Sequence, residues 1–213
     1  MEMITSPREI ESKSFRIVDK HLADVKLPRS QKEVMARVIH ATSDINYAKD
    51  ILFHPKAIRA AVEAIRNGKN IVTDANMVKA GINKKILSGF GGKVICFIDK
   101  KDVARQASRL GITRSMLAMR KACGAMNGGI VAIGNAPTAL FEVCDLISKG
   151  RAKPSLVIGL PVGFVGAKEA KVKLRSLKIP YITNRTRHGG SSAAAACVNA
   201  LLKITERGDE RDK

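Results

Sequence analysis

A histidine follows an arginine by three residues in Arg37-Val-Ile-His40, inside a stretch whose apolar positions Val34, Met35, Val38 and Ile39 recur at helical spacing. Imidazole exchanges a proton near neutral pH, so His40 is a candidate general acid or base, with Arg37 and Asp44 as charged neighbours on the same stretch. On spacing alone the set reads first as the solvated face of an amphipathic helix. His21 and His54 stand in less suggestive surroundings. His188 precedes Gly189-Gly190, as either a catalytic group or an ordinary loop residue.

A second set of residues lies where strands should end. The apolar run Gly129-Ile-Val-Ala-Ile-Gly134 reads as a buried strand, and Pro137 two residues after Asn135 opens a helix. Ligands of parallel α/β sheets bind beyond the carboxyl ends of the strands, so Asn135 and Thr138 are expected to face one. The same logic applies to Gly159-Leu-Pro-Val-Gly-Phe-Val-Gly166 and to His188-Gly-Gly-Ser191. The latter starts a helix whose free N–H groups suit a carboxylate or phosphate, or it is a plain serine-capped turn. Thr73-Asp-Ala-Asn-Met77 offers a carboxylate and an amide to orient a ligand, or caps the next helix. Arg114, in Thr113-Arg-Ser115, either clamps a carboxylate or is simply exposed. The spacing of a dinucleotide fingerprint is missing after every strand, and there is no phosphate-loop lysine motif.

The elements that must position these groups follow from periodicity and punctuation. Residues 7–23, 31–42 and 55–66 read as helices, the first and third started by proline and the second by a capping box, Ser30-Gln-Lys-Glu33. Short strands are expected at 70–74, 93–98, 129–134, 155–159 and 181–183, alternating with helices near 100–109, 113–126, 137–149, 167–177 and 191–203. This pattern predicts a three-layer α/β/α fold: a mainly parallel sheet of five strands, with extra N-terminal helices on a face or edge. Residues 1–205 form a single domain in this reading, and 206–213 a charged, frayed tail.

The chain has 213 residues and a formal net charge of +19. That balance attracts polyanions, whether nucleic acid, anionic lipid or a polycarboxylate substrate, unless it is only a lineage-wide lysine bias. Lysine and arginine are spread rather than blocked, there is no tryptophan, and Tyr47 and Tyr181 are the only tyrosines, which lowers the nucleic-acid reading, since stacking platforms want aromatics. Cys96, Cys123, Cys144 and Cys197 form no Cys-x-x-Cys pair; free thiols and no metal site are expected. With no secretory leader in residues 1–20 and no apolar run of membrane-spanning length, a soluble cytoplasmic protein is expected.

Seven segments together resemble the precorrin-8X methylmutase family, known in its anaerobic version as cobalt-precorrin-8 methylmutase. They are Ser14-Phe15, Arg37-Val-Ile-His-Ala-Thr42, Thr73-Asp-Ala-Asn-Met-Val78, Thr113-Arg-Ser115, Ile133-Gly-Asn-Ala-Pro-Thr-Ala-Leu-Phe141, Leu160-Pro-Val-Gly-Phe-Val-Gly-Ala167 and Gly189-Gly-Ser191. They run in family order across nearly the whole chain. The resemblance implies an isomerase of corrin biosynthesis that moves a methyl group from carbon 11 to carbon 12 of an anionic tetrapyrrole, with or without cobalt, giving cobyrinate or hydrogenobyrinate. No redox cofactor or methyl donor is implied, and no nucleic-acid or membrane partner; relatives pair as homodimers. The family's acid–base histidine falls on His40, and Ser14 and Arg37 match positions used near the substrate. Strand-end geometry adds Arg114, Asn135, Thr138 and Ser191 as substrate contacts. The chain departs from the common pattern at Asn184-Arg-Thr-Arg-His188, where relatives carry Gly-Arg-Lys before Gly-Gly-Ser, and at Ser43, where many have glycine.

Overall fold

The computed structural model describes residues 5–208. Among them, β1 (Ile51–Phe53), β2 (Ile71–Thr73), β3 (Val94–Ile95), β4 (Ile130–Ile133), β5 (Leu156–Gly159) and β6 (Tyr181–Asn184) make one sheet in the order β1-β6-β5-β4-β2-β3. All neighbours are parallel except β1, which runs antiparallel to β6 with Leu52 opposite Thr183. Every residue of β4 and β5 is buried, as expected of parallel strands covered on both faces. Their side chains alternate between two apolar clusters: Ile130 and Ala132 join one, Val131 and Ile133 the other.

Each cluster is closed by its own helices. One face carries α1 (Pro7–His21), α2 (Arg29–Thr42), α4 (Ala57–Arg66) and α11 (Ser191–Glu206), with the short α3 (Tyr47–Asp50), α5 (Asn76–Gly81) and α6 (Lys84–Gly89) at its margins. The other face carries α7 (Lys101–Arg109), α8 (Arg114–Ala122), α9 (Pro137–Ser148) and α10 (Ala167–Arg175). Small residues let α11 lie close to the sheet: Ala193, Ala194, Ala195, Ala196 and Ala200 are all buried. A Cβ on Gly134, at the end of β4, would stand 2.9 Å from both the Ala194 methyl and the Ser191 Cα, so the approach requires glycine there. On the opposite face the buried Glu142 of α9 accepts two bonds from Arg120 of α8, at 2.8 and 3.0 Å.

The α/β/α prediction holds, with corrections. The sheet has six strands: Ile51-Leu-Phe53 was not expected, because an edge strand of three residues carries no alternation to read. Of residues 93–98, only Val94 and Ile95 pair. The second helix starts at Arg29 behind Pro28, with no side-chain cap, so Ser30 lies within the first turn and the capping box does not form. The last helix runs on to Glu206, and Arg207 pairs with Glu33 of α2. Of the expected tail, 206–213, residues 209–213 lie outside the described residues.

Candidate active site

α1 is lightly anchored, by Val18 and by Leu22 just beyond it, yet it brings three side chains onto α2. Ser14 Oγ lies 2.8 Å from His40 Nδ1. The Phe15 ring stacks on the His40 imidazole at 4.8 Å between centroids and 13° between planes. The Arg37 guanidinium sits 4.7 Å from the centre of the same ring and pairs with Glu11 at 3.2 Å. The Phe15 face and the Ser14 hydroxyl together fix the orientation of the imidazole, Nδ1 toward Ser14.

His40 and Arg37 open on a cavity of about 380 Å³. Its far wall is α11, through Ser192, Ala195, Ala196, Asn199 and Lys203; Gly81, Asn83 and Ile86 close it from the side. None of the lining residues is acidic, and Arg37 and Lys203 present two cations. Asn199 is fixed by donating to the Gly81 carbonyl at 2.7 Å and accepting from the Asn83 amide at 2.8 Å. Sequence reasoning missed Asn83, Asn199 and Lys203. A signal existed in the last helix: Ser192, Asn199 and Lys203 fall on one helical face with the small Ala195 and Ala196.

A second cavity of similar size adjoins the first, sharing Ala41 and Ser192, and is lined further by Thr42, Asp44, Tyr47, Val162, His188 and Gly189. Asp44 belongs to this cavity and not to His40's helix face. Ser43 is left-handed, at φ 53°, and ends α2 before it; Asp44 then accepts from the Asn46 amide at 2.9 Å and faces His188 Nδ1 at 3.2 Å. The neighbour of His40 is Ser14, not this carboxylate.

The turn after β4 is filled from within the protein. Asp74, 1% exposed, accepts from the backbone N–H groups of Gly134, Asn135 and Ala136 at 2.9, 2.9 and 2.7 Å. Burial raises its carboxyl above the ordinary carboxylate range, while the three N–H bonds pull the other way. Asp74 therefore neither caps α5 nor orients a ligand; it ties the end of β2 to the β4–α9 turn. Arg114, Asn135 and Thr138 line neither cavity. Arg114 and Thr138 stand at the starts of α8 and α9, on the sheet face opposite α2, where Thr113 Oγ1 and Thr138 Oγ1 are 3.1 Å apart. Ser191 is the first residue of α11, and the residue that reaches both cavities is its neighbour Ser192. The cysteines are free thiols, and no group of three or more His, Cys, Asp or Glu side chains converges to hold a metal among the described residues. No helix among them is long and apolar enough to cross a membrane.

A model of the family described as precorrin-8X methylmutase matches residues 9–204, and so takes in both walls of the His40 cavity. The chain belongs to this family. It is 45% identical over 206 residues to the cobalt-precorrin-8 methylmutase of Priestia megaterium, covering 97% of this chain and 92% of that one. It is 38% identical over 209 residues to the precorrin-8X methylmutase of Pseudomonas aeruginosa, covering 97% and 99%. The crystal structure of the precorrin-8X methylmutase from Thermus thermophilus superimposes with a TM-score of 0.88 at 36% identity, covering 97% of this chain and 100% of that one. The chain is thus an isomerase of cobalamin biosynthesis, a methylmutase of the precorrin-8X and cobalt-precorrin-8 type.

Proposed function

We propose that the His40 cavity binds the tetrapyrrole and that His40 is the acid that drives its methyl shift from carbon 11 to carbon 12. The observation that carries this reading is the Ser14–His40 contact at 2.8 Å beside a cavity with cations and no carboxylate. With Nδ1–H donating to Ser14, the proton that can be exchanged is the one on Nε2. Given to a ring nitrogen near the migrating methyl, it draws electron density from the conjugated system and eases the carbon–carbon exchange. The methyl group is already on the substrate, so the bond broken at carbon 11 and the bond made at carbon 12 balance within one molecule. The proton returns to His40 when the product forms.

Arg37 and Lys203 are placed to meet carboxylate arms of the substrate, with Ser192 lining the cavity beside them; Ser14 holds His40, and Ser191 is proposed to meet the substrate from the start of α11, outside the cavity lining. Arg114, Asn135 and Thr138 are proposed to meet peripheral groups beyond the cavity, at the strand ends. Arg37→Ala should raise KM about tenfold through loss of a charge-assisted contact. Thermal stability should hardly change, because the Glu11 partner is half exposed. Steady-state kinetics with a melting curve separates the two, and an unchanged KM would count against Arg37 as a contact.

The reading carries with it a cytoplasmic enzyme working as a homodimer. Support for pairing comes from the loop after β5, where Phe164 and Val165 are 89% and 87% exposed and Val162 is also at the surface. On a chain of net charge +19, two copies repel, and an uncharged apolar loop is where they can meet. Phe164→Glu should shift the protein from dimer to monomer by light scattering; a variant that stays dimeric removes this loop from the interface. Incubating the purified enzyme with precorrin-8X, and separately with its cobalt form, then tests the function itself. Conversion of neither, by folded protein, overturns it, and the faster of the two names the pathway branch.

A further inference from the structure

Lys171 is 1% exposed, on a helix face otherwise made of Ala167, Ala170 and Leu174. A methionine would complete that apolar stripe without desolvating a charge. The lysine instead sends its ammonium to two main-chain carbonyls of the β6–α11 connection, Thr186 at 2.8 Å and His188 at 2.5 Å. Burial pushes the ammonium down to about 8, with Asp50 opposing. No carboxylate pairs with it directly among the described residues; Asp50 connects through Thr186, whose hydroxyl donates to it at 2.6 Å. Asn184 Nδ2 donates to the same His188 carbonyl at 3.0 Å.

The connection held in this way lines the second cavity through His188 and Gly189. It sets His188 against Asp44 and presses Gly189 against the Leu160 and Pro161 carbonyls, where a Cβ would come within 2.3 and 2.4 Å. It then starts α11, whose Ser192 borders both spaces. We infer that Lys171 is a positioning residue for the substrate site: by fastening the Thr186 and His188 carbonyls it fixes the β6–α11 connection, which lines the second cavity through His188 and Gly189 and sets the start of α11, where Ser192 borders both cavities. Lys171 lines neither cavity and acts only through that connection. The inference rests on the assignment of the His40 cavity as the substrate site.

Hydrogen exchange over residues 184–190, together with steady-state kinetics, tests it. In the wild-type enzyme this segment should gain protection when hydrogenobyrinate binds. Lys171→Met should speed exchange there and leave the sheet unchanged, and should raise KM about tenfold with kcat held within about twofold. Lys171→Gln, which keeps a donor on a shorter arm, should fall between the two and serves if the methionine variant aggregates. An unchanged KM in both variants overturns the inference. So does faster exchange across the whole chain with kcat falling alongside, which would make Lys171 a stability residue only, or a segment that gains no protection from product. Failure of the underlying site assignment looks different: His40→Ala would then turn over normally whatever the Lys171 variants do.

Discussion

His40→Ala should lower kcat by about 10²–10⁴-fold, the range for removing a positioned general acid. Folding should survive, because the imidazole makes one side-chain hydrogen bond, to Ser14, and lies outside the buried core. Circular dichroism and melting curves check that. Ser14→Ala should be milder, since the imidazole keeps its stacking on Phe15 and loses only its hydrogen bond at Nδ1. A His40→Ala enzyme with a near-normal kcat would mean that the proton comes from elsewhere or is not needed.

Asp74→Ala should lower the stability of the fold by about 3–5 kcal/mol, the sum of several N–H groups left without an acceptor. Three backbone donors converge on this one carboxylate, and Asp74 itself is 1% exposed. Burial already raises its pKa in the folded state. Ionising it therefore works against folding as pH rises from the unfolded carboxyl's range toward the folded value, and the N–H bonds offset that penalty. Asp74→Asn is neutral and keeps one oxygen, so its loss should be smaller than that of the alanine variant. Urea unfolding followed by circular dichroism measures both. A loss below about 1 kcal/mol in the alanine variant would show that water replaces the carboxylate at the turn.

The central strands were legible because β4 and β5 are wholly apolar runs bounded by glycine, and α9 because Pro137 marks its start. β1 was not, since its pairing is supplied by β6 from the far end of the chain. At the site, His40 and Arg37 share one helix and can be read together, and the family resemblance singles them out. The contact of His40 with Ser14 crosses 26 residues and depends on how α1 docks. Asp44 is not on the helix of His40, because Ser43 is left-handed and the helix ends at Thr42. Asp74 was expected to cap a helix or orient a ligand, whereas its acceptors' partners lie about 60 residues on in the sequence and are adjacent only because β2 and β4 pair. Lys171 does sit at the i+4 position of an apolar stripe, but a lysine there reads by default as exposed.

The most direct test of the account is an absorption time course with precorrin-8X in large excess over the enzyme, run side by side for the wild type and His40→Ala. Moving the methyl alters the conjugated path, so each turnover changes the visible spectrum. The account predicts conversion well beyond one equivalent by the wild type and a nearly static spectrum with the folded variant. A wild-type change that stops at one equivalent, or a variant that converts the substrate at the wild-type rate, would contradict it.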